Sequence, residues 1–123
     1  MAKILIIDDD EQVRNLVHSY LILDHHEIAT AENGKEGMEK LEGGQFDLII
    51  TDIFMPERDG LEVLISMINL ANRPKIVVMT GGYASYNFSD LLQTAKLLNA
   101  DKVLPKPVTY QTLKQAISEL LQD

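Results

Sequence analysis

A chain of 123 residues, 46% hydrophobic and 24% charged, is one globular domain's worth of sequence with enough apolar surface for a single core. The absence of cysteine excludes disulfide frameworks and thiol chemistry, and a net charge of −8 argues against a nucleic-acid surface. No apolar run approaches a membrane span and no secretory leader precedes the first acids, so a cytoplasmic domain over residues 1–123 is expected.

The pattern along the chain alternates. Residues 4–7, Ile-Leu-Ile-Ile, run directly into Asp8, Asp9, Asp10 and Glu11. Val13, Leu16, Val17, Tyr20 and Leu21 then recur at the spacing of one helix face. A second apolar run covers 27–31. Asn33-Gly34 carries a hairpin signal, but no alternating strand follows it. It is read instead as a turn into a weaker helix over 34–41, with Met38 and Leu41 facing inward. The third run, 46–51, ends at Asp52, and Leu61, Leu64, Ile65 and Ile68 predict the next helix. Residues 75–80 form the fourth run, and Phe88, Leu91, Leu92 and Ala95 mark a fourth helix. The fifth run, 102–104, precedes a last helix carrying Leu113, Ala116, Ile117, Leu120 and Leu121.

The first, third and fourth runs are continuous rather than alternating, as in strands buried on both faces of a parallel sheet. Strand and helix alternate five times, which predicts an α/β fold with helices on both faces of that sheet. Ligands in such folds sit beyond the carboxyl ends of the strands, where the strand order reverses. Four strand ends carry chemistry: Asp8 and Asp9, Asp52, Thr80 before Gly81-Gly82, and Lys106 between Pro105 and Pro107. Several carboxylates at one strand end raise one another's pKa, and a bound cation relieves that. Oxygen ligands without nearby His or Cys point to Mg²⁺ or Mn²⁺ rather than zinc. Asp10 or Glu11 is assigned to capping the first helix, while Glu11, Glu57 and Glu62 read as a solvated face. His18, His25 and His26 show no ligand spacing and read as surface packing; Phe46 and Phe88 read as core, and Met38, Met55, Met67 and Met79 as gap fillers.

With these four strand ends in this order, the chain resembles the receiver domain of bacterial two-component response regulators over its whole length. The resemblance implies a flavodoxin-like, doubly wound fold with five helices around a five-stranded sheet of order 2-1-3-4-5. It implies that Asp52 is the phosphoacceptor, attacking a phosphohistidine of a sensor histidine kinase or histidine phosphotransfer protein. It further implies that Asp9, Asp52 and the backbone carbonyl of Phe54 bind Mg²⁺, that Asp8 orients a coordinated water, and that Thr80 and Lys106 bind the phosphoryl oxygens. The Lys106–Pro107 bond is expected to be cis. Hydrolysis of the acyl phosphate would reset the switch. The signal would leave through the fourth helix, fifth strand and fifth helix, toward an effector, an output domain or a phosphorylation-linked homodimer, with no direct contact to nucleic acid or membrane.

Three positions depart from the family's pattern. Val103 stands where an aromatic ring usually follows the movement of Thr80, and Val has no ring to swing. Phe54, two residues past Asp52, offers no hydrogen bond to an attacking water and is read as a shield. Gly81-Gly82 gives the loop after Thr80 extra backbone freedom. Two other functions compete. A haloacid-dehalogenase-like phosphatase would use Asp8 as nucleophile, but would leave Asp52 without a task and lacks an acidic pair after Lys106. A phosphorylation-independent adaptor would leave the whole acid set unused. No output segment follows Asp123, so either a single-domain regulator or the amino-terminal domain of a longer one is expected.

Overall fold

The apolar runs become five strands: β1 (Lys3–Ile7), β2 (Glu27–Ala31), β3 (Leu48–Asp52), β4 (Lys75–Thr80) and β5 (Lys102–Pro105). A computed structural model provides the coordinates, and the residues it describes are 2–52, 73–80 and 100–121. Every strand pairing is parallel, and the sheet order is β2-β1-β3-β4-β5, as expected. Three helices lie among the described residues: α1 (Glu11–Leu23), α2 (Gly34–Gly43) and α3 (Tyr110–Leu120). The helices expected around 61–68 and 88–95 fall outside them, as do Met55, Met67 and Phe88.

The continuous runs are explained by two apolar layers. Side chains of a strand alternate between faces. Ile4, Ile6, Leu48, Ile50, Val77 and Met79 point to one side and pack with Val17 and Leu21 of α1 and Leu113, Ala116 and Ile117 of α3. Leu5, Ile7, Ile49, Ile76 and Val78 point to the other, where Met38 and Leu41 of α2 join them. Each fully buried Ile or Leu contributes about 1.5–3 kcal/mol, so these two layers outweigh any single polar contact.

Local signals set the helix starts. Asp10 caps α1 by accepting the Gln12 N–H at 2.9 Å, Asn33 caps α2 through Glu36 at 2.8 Å, and Thr109 caps α3 through Thr112 at 3.1 Å. At the end of α1, His25 takes a left-handed φ of 62°, and its N–H returns to the Ile22 carbonyl at 3.0 Å.

Three expectations needed correction. The third strand starts at Leu48 rather than 46, because the Asp47 carboxylate takes the Lys3 N–H at 2.8 Å in place of regular pairing. Phe46 is half-buried beside the second layer, with the Lys3 ammonium 5.0 Å from its ring. Leu16 is 41% exposed, because the buried arc of α1 centres on Val17 and Leu21.

Two contacts fix the helices against one another and against the sheet. The Tyr110 hydroxyl donates to Asp24 at 2.9 Å and its ring meets Tyr20 at 5.7 Å, tying the start of α3 to the end of α1. On the opposite face Gly37 lets α2 approach β1 closely, since a Cβ there would lie 2.5 Å from the Cδ1 of fully buried Ile7. Gly37→Ala should therefore lower stability by about 1 kcal/mol despite its better helix propensity, and Ile7→Val should relieve the loss in the double variant. A higher Tm for Gly37→Ala alone, measured by calorimetry, would contradict this packing.

Candidate functional site

Strand register brings four chemically distinct residues to one edge. Ile7 lies opposite Thr51, Asp52 opposite Met79, and Thr80 opposite Pro105. Asp8 is one residue beyond β1 and Lys106 one beyond β5, while Asp52 and Thr80 are the last residues of their strands. The Lys106 N–H donates to the Thr80 carbonyl at 2.7 Å, and the Lys106–Pro107 peptide is cis.

Asp8 is held at every polar group. Its N–H donates to Ala31 at 3.1 Å, its Oδ1 accepts the Asp10 N–H at 2.9 Å, and its carbonyl accepts from Arg14 Nη1 at 2.7 Å. Its Oδ2 lies 2.9 Å from Lys106 Nζ, an ion-pair contact rather than a directed hydrogen bond. The same ammonium donates to Asp52 Oδ2 at 2.8 Å. Both carboxylates are buried, so this one cation offsets two charges taken out of water.

Burial pushes the Asp8 carboxyl above its usual range, and the charge of Asp52 adds to the effect. The Asp10 amide and Lys106 oppose it without reversing it. For Lys106, burial acts to lower the pKa, but its hydrogen bond to Asp52, its close ion-pair contact with Asp8 and the charges of both acids outweigh burial and raise it. The ammonium therefore stays charged at neutral pH.

Asp9 is exposed at the rim. One carboxylate oxygen from each of Asp8, Asp9 and Asp52 lies within 4.8 Å of the others. Hard oxygen donors at this spacing, with one ammonium for three acids among the described residues, suit a small divalent cation. The hydroxyl of Thr80 is buried and has no hydrogen-bond partner among the described residues. Such a group costs about 1–3 kcal/mol, which an incoming acceptor oxygen would recover.

The structure thus brings Asp8, Asp9, Asp52, Thr80 and Lys106 together. Val103 lies outside this group: it is half-buried in the layer shared with α2 and pairs with Val78. Phe54 and Gly81 fall outside the described residues. Arg14 was missed by sequence reading, which searched strand ends alone. The available signal was a cation in the first turn of the helix that follows the acids Asp8 to Glu11.

Comparison with known proteins identifies the family. Residues 4–118 match the response regulator receiver domain. The chain belongs to that family. It is 31% identical over 123 residues to the transcriptional regulatory protein CpxR homolog of Haemophilus influenzae, covering 99% of this chain and 51% of that protein. It is 32% identical over 122 residues to CiaR of Streptococcus pneumoniae, covering 99% of this chain and 52% of that protein. The chain therefore spans about half the length of these curated relatives. Among solved structures it resembles TrrA of Thermotoga maritima, in complex with Mg²⁺-BeF, at 36% identity and TM-score 0.83, with 98% and 100% of the two chains covered. A receiver domain from Clostridium thermocellum gives 29% identity and TM-score 0.88, over 98% and 94%. As a receiver domain of two-component response regulators, the chain serves phosphorylation-dependent signalling, and its acidic cluster fits Mg²⁺. No helix among the described residues is long and apolar enough to cross a membrane.

The raised Asp8 pKa gives a signed expectation. A carboxyl whose folded pKa is raised favours folding only while protonated, and that contribution is lost as pH rises through the folded pKa. Asp8→Asn should raise the metal-free Tm at neutral pH by several degrees. The gain should shrink as pH falls into the acidic range, where wild-type Asp8 also becomes neutral. Thermal melts across pH check both parts; a Tm lowered by Asp8→Asn at neutral pH would contradict the electrostatics.

Proposed function

We propose that residues 1–123 act as one receiver domain in which Asp52 accepts a phosphoryl group from a phosphohistidine of a sensor histidine kinase or histidine phosphotransfer protein. The observation that carries this reading is the Lys106 ammonium seated on Asp52 at 2.8 Å, inside an oxygen cluster spanning 4.8 Å. A carboxylate oxygen of Asp52 attacks phosphorus, the phosphorus–nitrogen bond breaks, and the departing imidazole nitrogen takes up a proton. The transferring group is loosely bonded at the transition state, so catalysis depends on position and charge more than on covalent help.

Each neighbour has a defined part. Lys106 moves from Asp52 toward a phosphoryl oxygen, and Thr80 donates its unpaired hydroxyl to another. Asp9, Asp52 and the Phe54 carbonyl would hold Mg²⁺, with Mn²⁺ an acceptable substitute, and Asp8 would orient a water on it. The metal supplies charge neutralisation during transfer. Attack of water on phosphorus later regenerates the Asp52 carboxylate and releases inorganic phosphate, so the domain turns itself off without being a conventional enzyme.

The output is expected to leave through β5, α3 and the expected fourth helix, which lies outside the described residues, toward an effector, an attached output domain or a second phosphorylated copy, in the cytoplasm. Phosphorylation would shift a pre-existing equilibrium of that surface. Val103 gives this chain no ring to follow Thr80, so the shift must be carried by other groups on the same face.

Incubation with Mg²⁺ and a small acyl phosphate should add the mass of one phosphoryl group to the intact chain, and Asp52→Asn should abolish it. An unmodified wild type, or a label persisting in Asp52→Asn, would refute the assignment. Phe54→Asn should speed loss of the label severalfold by offering a hydrogen bond to the attacking water; an unchanged or slower rate would remove the shielding role of Phe54.

A further inference from the structure

Arg14 reaches the acid pair from the first turn of α1, and the phosphoryl chemistry above gives it no task. Its Nη1 donates to the Asp8 carbonyl at 2.7 Å, and its own N–H closes the start of the helix on the Asp10 carbonyl at 3.0 Å. The side chain is half-buried. A residue whose backbone is fixed in the first turn of α1 and whose planar guanidinium is fixed on the Asp8 carbonyl acts as a strut between α1 and the β1–α1 loop.

What the strut holds is the peptide joining Asp8 to Asp9. That peptide is planar, so restraining the Asp8 carbonyl also restrains the Asp9 N–H and the direction in which Asp9 leaves the chain. Asp8 has other supports at its N–H and at both carboxylate oxygens. Asp9 does not: it is exposed, and among the described residues no hydrogen bond or ion pair holds its carboxylate. Its place within 4.8 Å of Asp8 and Asp52 therefore depends on backbone direction.

We infer that Arg14 is a positioning residue for the divalent-cation site, acting through the Asp8 carbonyl to aim Asp9. The inference rests on reading Asp8, Asp9 and Asp52 as that site. Charge and position predict opposite signs here. As a nearby positive charge, Arg14 repels a cation, so its removal would tighten binding if charge were its only influence. As a strut, its removal loosens binding, and supports of this kind are worth about 10–100-fold in metal affinity.

Calorimetric titration with Mg²⁺ separates the two. Arg14→Ala should bind Mg²⁺ about tenfold more weakly, while circular dichroism shows an unchanged fold. Arg14→Lys, which keeps the charge and one donor on a less rigid stem, should fall between Arg14→Ala and wild type. Equal or tighter binding by Arg14→Ala overturns the inference. Should Arg14→Ala fail to fold, Arg14→Lys carries the test alone: measurably weaker binding supports the strut, and wild-type affinity overturns it. Asp9→Asn serves as the control for the site itself. If wild type bound no Mg²⁺, or Asp9→Asn bound it undiminished, the cation-site reading would fall and the role of Arg14 with it. Normal wild-type binding, lost in Asp9→Asn but kept in Arg14→Ala, would remove Arg14 alone.

Discussion

Two carboxylates, Asp8 and Asp52, share one ammonium, Lys106, at the carboxyl ends of neighbouring buried strands. Removing such charges from water is costly, and one lysine cannot neutralise both acids together with Asp9 at the rim. Several features of the surroundings serve that arrangement. The two apolar layers fix the strand register that makes the ends level, the Asp10 amide and Arg14 restrain Asp8, and the Lys106 N–H is tied to the Thr80 carbonyl. Among the described residues the edge is left with surplus negative charge and the unpaired buried hydroxyl of Thr80, which makes it receptive to a cation and to an acceptor-rich anion together.

The fold was legible because burial on both faces leaves a plain trace. Short continuous Ile, Leu and Val runs are the pattern of a strand covered on both faces, and their alternation with helix-spaced residues implied a parallel sheet. Strand order was not legible from spacing, since nothing in a single strand names its neighbour; it came through the family resemblance. Boundaries failed where side chains competed with the backbone, as at Asp47. The stripe on α1 was read too wide because Leu16 shares the spacing of Val17 and Leu21 without sharing their burial. At the site, every residue on a strand end was identifiable by chemistry. Arg14 was not, because its partner is a backbone carbonyl, and carbonyls carry no sequence signal.

Family membership gives the chemistry more surely than the output. Val103 occupies the layer shared with α2, on the sheet face opposite Leu104. Under the proposed switch, in which Lys106 leaves Asp52 for the phosphoryl group, Val at this point calls for a route of transmission other than a swinging ring. The tie between Tyr110 and Asp24 begins four residues after Lys106 and lies on the opposite face, so a shift of the loop containing the cis Lys106–Pro107 bond would be felt at the end of α1 as well as along α3.

Lys106 and a divalent cation are proposed to draw on the same two carboxylates, Asp8 and Asp52. The most direct measurement is the Mg²⁺ affinity of Lys106→Met beside wild type, by calorimetry at fixed ionic strength. Losing a positive charge a few ångströms from the site should tighten Mg²⁺ binding about tenfold, once solvent screening is allowed for. Equal or weaker binding by a folded Lys106→Met would show that the ammonium and the metal do not compete, and would contradict the electrostatic arrangement described for this edge.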